Sequence, residues 1–105
     1  MLPPDAQYEE SALAESEEKV EEPPLFKVLL HNDDFTTMEF VVWVLESVFN
    51  MPEEQAIQVM LSVHLRGTGV AGIYTYEIAE TKVEKTTALA REHEFPLLVT
   101  MEEAG

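Results

Sequence analysis

The sequence contains no cysteine, and only 6 of its 105 residues are lysine or arginine, against 21 aspartates and glutamates. Without cysteine there is no disulfide scaffold, no cysteine-ligated zinc and no thiol nucleophile. The net charge of −15 argues against binding to nucleic acid or to an anionic membrane surface, because basic side chains supply most of that affinity. No apolar run approaches the roughly 18 residues that cross a bilayer. The first residues contain no basic segment of the kind that begins a secretory signal, so none is expected. We therefore expect a cytoplasmic protein whose partners are neither nucleic acids nor membranes.

What the chain does have is enough apolar residues for one core. Hydrophobic residues make up 46 %, and the length leaves no room for a second sizeable core. Residues 1–24 hold eight of the acidic residues, with Lys19 as their only base. Because this stretch has few large apolar side chains and ends in two prolines, we predict a flexible acidic extension over residues 1–24 and a folded domain over residues 25–105. The charge pattern alone leaves open whether the extension does more than solvate the protein.

Hydrophobic periodicity predicts the element order β-α-α-β-α-β in the folded part. The predicted strands cover residues 26–32, 70–74 and 96–101, and the predicted helices cover residues 38–49, 52–66 and 75–91. Thr36 or Thr37 is a suitable N-cap for the first helix, and Gly67 a suitable stop for the second. No turn of hairpin length is present, so each strand is reached across helices. The pattern is typical of a small α/β sandwich with one helical layer.

Three features could carry chemistry, and each has an ordinary structural explanation. Asn32, Asp33 and Asp34 end the first strand and could simply form a turn. His64 could be a boundary residue of the second helix, and the methionines, among them Met38 and Met60, could simply fill the core. Asp33, Asp34 and His64 could also form a small metal-dependent hydrolase site. However, there is no glycine-flanked serine, no phosphate-binding loop and no pair of histidines at metal-binding spacing, so we predict neither catalysis nor a cofactor nor a metal.

Four blocks of the sequence resemble the ClpS adaptors of the bacterial Clp protease. They are residues 26–41 (FKVLLHNDDFTTMEFV), 60–64 (MLSVH), 72–83 (GIYTYEIAETKV) and 93–97 (HEFPL). The resemblance implies a three-stranded antiparallel sheet packed with three helices. It also implies a non-catalytic adaptor that recognises a destabilising N-terminal residue (Leu, Phe, Tyr or Trp). Such an adaptor delivers these substrates to a Clp AAA+ unfoldase of the ClpA or ClpC class, and its N-terminal extension takes part in delivery.

The resemblance also implies roles for particular residues. Asn32, Asp34 and His64, with Asp33 in support, would bind the substrate's α-amino group, which suits an ammonium that has donors and no acceptor. The first side chain would enter an apolar pocket formed by Leu30, Thr36, Met38, Val41, Met60, Val63 and Leu97, where Met38 would exclude β-branched side chains. Glu77, Glu80 and Lys82, at the start of the third helix, would contact the unfoldase.

Two residues depart from the family pattern. Thr37 stands where proline is common, which would loosen the turn that carries Met38. His31 stands where an aliphatic residue is usual, but strand alternation turns it away from Leu30 and Asn32, so we expect no effect on binding. One alternative remains within the family: a module that docks on the unfoldase but has lost selectivity for N-terminal residues, acting as an inhibitor or a selector of other substrates.

Overall fold

The computed structural model describes residues 23–105. The acidic extension therefore lies almost wholly outside the described residues, and its flexibility stays a prediction. The elements follow in the order β1 (Phe26–His31), α1 (Met38–Ser47), α2 (Glu53–Arg66), β2 (Thr68–Tyr74), α3 (Tyr76–Glu92) and β3 (Leu98–Glu103). This confirms the predicted order. Among these helices, none is long and apolar enough to cross a membrane.

The three strands form one antiparallel sheet with β1 in the centre, in the order β2-β1-β3. Leu30 of β1 lies opposite Gly69 on one side and Val99 on the other, and all three are buried. Because side chains alternate along a strand, Val28 points to the same face as Leu30, and both are fully buried. This face joins the core formed with the helices, including Val44 and Leu45 of α1, which are also fully buried.

Helix α1 begins at a side-chain cap. The Thr37 backbone is extended, and its Oγ1 accepts a hydrogen bond from the backbone N–H of Phe40 at 3.1 Å. Such a cap satisfies one of the amide groups that a helix start leaves without a partner. The helix ends at Ser47, two residues earlier than predicted, with Val48 as its C-cap.

Helix α2 ends where predicted, at Gly67, whose φ of 93° is costly for any residue with a side chain. Strand β2 starts directly afterwards, at Thr68, so the predicted strand over residues 70–74 began two residues too late and wrongly left out Gly69. Gly69 belongs to β2 because it pairs with Leu30 of β1, and α2 packs closely over it: a Cβ at this position would lie 2.7 Å from Cγ2 of Val63. This glycine therefore allows the close approach of helix and strand rather than a turn.

Two further differences concern α3 and β3. The helical spacing of apolar residues places Ile78 on the apolar face of α3, but it is half exposed, and Thr86 is buried in that face instead. Strand β3 starts at Leu98 rather than at residue 96, because its pairing with β1 begins at Leu98 opposite His31. Before that point the Arg91 side chain takes the backbone carbonyls, donating from Nη1 to the oxygens of Phe95 at 2.7 Å and Leu97 at 3.1 Å.

Candidate functional site

The candidate site begins in the loop between β1 and α1. The backbone N–H of Asn32 donates to the carbonyl of Gly67 at 2.8 Å, which joins the end of β1 to the end of α2. The Asp33 carboxylate organises the rest of the loop. Its Oδ1 accepts hydrogen bonds from the backbone N–H groups of Phe35 and Thr36 at 2.8 and 2.7 Å, and its Oδ2 accepts one from the Thr36 hydroxyl at 2.7 Å. The loop therefore has a defined shape, set largely by one side chain.

The pKa of Asp33 reflects this role. Partial burial alone would raise it, but the hydrogen bonds from Thr36 and Phe35 outweigh the burial. With the positive charge of Arg91 they hold the pKa of Asp33 below its ordinary value of 3.8. Both Asp33 oxygens thus accept hydrogen bonds within the loop, whereas no hydrogen bond of the described residues engages the Asp34 side chain.

The loop, α1 and α2 together surround a cavity of about 270 Å³. Cavities that hold a whole drug-sized molecule measure about 300–1,000 Å³, so this one suits a single side chain with its backbone amine. Nine residues line it: Asn32, Asp33, Asp34, Thr36, Met38, Val41, Met60, Val63 and His64. Residues from the first strand end and from the second helix, about 30 positions apart, thus meet around one space.

The lining is divided into a polar part and an apolar part. Asn32, Asp34 and His64 are exposed and lie at the solvent side, where each can offer a hydrogen-bond acceptor. Val41 and Val63 are buried and form the interior part of the lining. A donor group at the mouth and an apolar group inside are therefore what the cavity fits chemically.

Two of the residues expected in the pocket do not line this cavity. Leu30 and Leu97 are fully buried, at 0 % and 1 % exposure, and belong to the core on the sheet side. Leu30 points from the central strand towards the helices, so other core residues cover it. A direct contact of either leucine with a bound side chain stays a prediction.

The comparisons with known proteins agree with one another. The family profile described as "ATP-dependent Clp protease adaptor protein ClpS" matches residues 21–100. An ATP-dependent Clp protease adapter protein ClpS of Methylococcus capsulatus is 59 % identical over 93 residues, which cover 89 % of this chain and 88 % of that protein. One of the same name from Myxococcus xanthus is 51 % identical over 98 residues, 91 % of this chain and 92 % of that protein.

This chain belongs to the ClpS family. A solved structure of Agrobacterium tumefaciens ClpS2, bound to L-phenylalaninamide, has a TM-score of 0.75 to it at 44 % identity. The match covers 78 % of this chain and 99 % of that one. As a ClpS protein the chain is an adaptor of the Clp protease and not an enzyme. Membership in this adaptor family excludes the alternative of a metal-dependent hydrolase with Asp33, Asp34 and His64 as its site. Within residues 23–105, no group of three or more side chains is placed to bind a metal ion.

At the departure Thr37 the structure shows a helix cap, while the expected loosening of the turn stays a prediction. The Thr37 side chain caps α1, the element that carries Met38, and its φ of −75° is one that proline also adopts. Where proline would restrict the backbone through its ring, Thr37 forms a side-chain hydrogen bond to the first turn of α1. His31, the other departure, lies on the far side of β1, where its Nε2 is 2.7 Å from Oγ1 of Thr100 on β3. It is not among the residues that line the cavity.

The three residues expected to contact the unfoldase in this ClpS protein differ in how exposed their side chains are. Glu77 and Glu80 are exposed near the start of α3. Lys82 is partly buried: its Nζ donates to the carbonyl of Val48 at 2.6 Å and lies within 6 Å of the ring centres of Phe49 and Tyr74. Lys82 therefore joins α3 to the end of α1, and any contact with a partner would add to that role.

Sequence reasoning missed a group of residues beside the cavity. Glu39, Val42, Trp43, Glu46 and Ile57 form, with Met38 and Met60, a second depression on the outer side of α1 and α2. The available signal was Trp43, the only tryptophan of the chain, in a helix that is otherwise apolar nearly all round. It is 42 % exposed.

Proposed function

We propose that this ClpS protein binds substrates whose first residue is leucine, phenylalanine, tyrosine or tryptophan, and delivers them to a Clp AAA+ unfoldase of the ClpA or ClpC class. The observation that carries the proposal is the arrangement of Asn32, Asp34 and His64 at the mouth of one cavity. The buried residues of its lining are Val41 and Val63. The ligand of the Agrobacterium relative, L-phenylalaninamide, joins a free amine to an aromatic side chain and so matches both parts.

The chemistry of binding follows from the two parts of the cavity. An α-amino group has a pKa of about 7.7–8.0 and is mostly protonated at neutral pH, so it brings donors and a positive charge. Asn32 and neutral His64 can accept from it, and the Asp34 carboxylate adds an opposite charge. The first side chain then enters the interior beside Val41 and Val63, where burying a leucine or phenylalanine contributes about 1.5–3 kcal/mol.

Selection against other substrates follows from the same arrangement. An acetylated or internal residue lacks the ammonium donors. When such a residue covers the acceptors, they lose their hydrogen bonds to water and gain none in return. This costs about 1–3 kcal/mol for each group that becomes buried. Met38 is 45 % exposed and lines the cavity from the first turn of α1. There it would crowd the Cβ branch of a valine or isoleucine.

Delivery would use surfaces away from the cavity. Glu77 and Glu80, exposed near the start of α3, with Lys82 beside them, form the proposed contact with the unfoldase. The extension over residues 1–24 is proposed to take part in transfer.

The experiment is a fluorescence-anisotropy titration with a labelled peptide that begins with leucine, beside its N-acetylated twin and a twin that begins with valine. We expect the free leucine peptide to bind and the other two to bind at least about ten-fold more weakly. Equal binding of all three would favour the alternative, a docking module without selectivity.

A variant pair tests the amine site within the same titration. His64→Ala should weaken binding of the leucine peptide about ten-fold, because it removes an acceptor of a charged hydrogen bond. His31→Ala is the matched control, since His31 lies on the far side of β1 beside Thr100 and does not line the cavity. Unchanged affinity in His64→Ala would remove His64 from the site.

A further inference from the structure

The depression beside the cavity shares a wall with it. Met38 and Met60 line both spaces, so these two side chains lie between them. We call the second space the Trp43 groove; its other lining residues are Glu39, Val42, Trp43, Glu46 and Ile57. Met38 is 45 % exposed, so a chain that left the mouth of the cavity across it would reach the groove next.

Trp43 offers an aromatic face at the side of this groove. Its ring lies 5.7 Å from that of Phe40 and 5.6 Å from that of His93, centre to centre, so the indole is held by neighbours while 42 % of the residue stays exposed. Tryptophan is the aromatic side chain that attracts cations most strongly. In residues 23–105 the only lysine or arginine found over an aromatic ring is Lys82, and it lies over Phe49 and Tyr74.

Two carboxylates flank the indole. Glu39 lies four residues before Trp43 and Glu46 three residues after it, so both share its face of α1. Neither forms an ion pair within the described part of the chain, where the one salt bridge joins Lys27 and Glu102. The groove therefore has an apolar surface and two negative charges at its sides, which suits a side chain with an apolar stem and a cationic end.

We propose that the Trp43 groove binds a lysine or arginine side chain of the substrate, at one of the three positions that follow its N-terminal residue. This rests on the proposed function, since the first residue must occupy the neighbouring cavity. An extended chain advances about 3.3–3.6 Å per residue, so residues two to four span the distance across one methionine side chain. The guanidinium or ammonium group would lie over Trp43 between Glu39 and Glu46.

Charge argues against the other possible occupants of the groove. The extension of this chain, residues 1–24, carries eight acidic residues and one lysine, and would be repelled by Glu39 and Glu46. A second copy would bring its own net charge of −15. A basic segment of a different protein is the occupant that the groove complements.

The test uses peptides that begin with leucine and carry either arginine or glutamine at position two, three or four, in about 0.15 M salt. We expect arginine at the favoured position to tighten binding about 5-fold over glutamine. In Glu39→Gln/Glu46→Gln and in Trp43→Leu this ratio should fall below about 2, while the glutamine peptides still bind. Circular dichroism checks that each variant is folded.

The matched control is Glu84→Gln/Glu103→Gln, which removes the same charge from exposed positions outside the groove. It should keep the 5-fold ratio. A ratio near 1 in the unaltered protein, or an equal fall in both double variants, would overturn the inference while leaving the proposed function standing. Failure of every peptide with a free N-terminal leucine to bind would instead remove the proposed function and this inference with it.

Discussion

Replacing Gly69 by alanine tests whether the close packing of α2 on β2 shapes the cavity. The added Cβ would lie 2.7 Å from Cγ2 of Val63, 3.0 Å from the carbonyl oxygen of Val59 and 3.2 Å from Cγ1 of Val59. The nearest of these separations is shorter than real Cβ contacts, and one neighbour is backbone, so the helix or the strand must shift. Val63 also lines the cavity, so the shift reaches the candidate site.

The magnitude follows from two opposing effects. Inserting a methyl group into a close-packed site costs about 1–3 kcal/mol, whereas replacing glycine by alanine stabilises by about 0.4–1 kcal/mol through the unfolded chain. We expect Gly69→Ala to lower the free energy of unfolding by about 1–2 kcal/mol, which corresponds to about 5–15 °C in Tm for a domain of this size. Binding of the leucine peptide should weaken as well.

Urea unfolding followed by Trp43 fluorescence measures the stability, and Gly105→Ala is the control, because no heavy atom lies near its added Cβ. Removing the clash from the other side gives a sharper check. In Gly69→Ala/Val63→Ala the combined loss should be smaller than the sum of the single losses by about 0.5–3 kcal/mol. Additive losses, or a Gly69→Ala protein as stable as the original, would refute the reasoning.

Three further predictions concern residues around the site. Thr37→Ala should lower the free energy of unfolding by about 1 kcal/mol through loss of the cap; a change below about 0.3 kcal/mol in urea unfolding would contradict the cap. Because its pKa is lowered in the folded protein, ionised Asp33 stabilises the fold above its ordinary pKa, and that contribution is lost as pH falls through the lowered value. The stability gap between the original protein and Asp33→Asn should therefore be largest at neutral pH and shrink in acid below about pH 4, and a gap independent of pH would disagree. Lys82→Met should reduce thermal stability even without an unfoldase, because it removes the bond to the Val48 carbonyl; an unchanged Tm would restrict Lys82 to partner contacts.

Local signals were sufficient to predict the element order. The apolar positions of β1 and of α1 repeat with strand and helix periods, and Thr37 and Gly67 mark helix ends by their own chemistry. Gly69 was predicted outside the strand because a glycine usually marks a turn. Here glycine is needed for another reason, the close approach of Val63 in α2, which the local sequence does not show. The start of β3 was misplaced for a similar reason, since Arg91 takes the carbonyls there.

The candidate site could be predicted only in part by the same means. No periodicity brings Asn32 and His64 together; that came from the family resemblance, and the Asn32–Gly67 hydrogen bond supplies its physical basis. The outward position of Trp43 was missed because most of α1 is apolar, although Glu39 and Glu46 on the same face mark the side of the helix that faces solvent. Leu30 and Leu97 lie in the core and not in the cavity lining, and this depends on how the helices pack on the sheet.

The central position of β1 has a consequence for motion. Its backbone is paired on both sides, and the Asn32–Gly67 bond continues this pairing into the loop, so the amides of Val28 and Leu30 should exchange with solvent only through global unfolding. The opposite side of the cavity is formed by two partly exposed, unbranched methionines, Met38 and Met60, whose side chains can change rotamer within nanoseconds. The cavity thus has one stiff wall and one soft wall. When a peptide that begins with leucine is exchanged for one that begins with a larger aromatic residue, NMR relaxation of the methionine methyl groups should change at Met38 and Met60. The exchange rates of the β1 amides should stay the same.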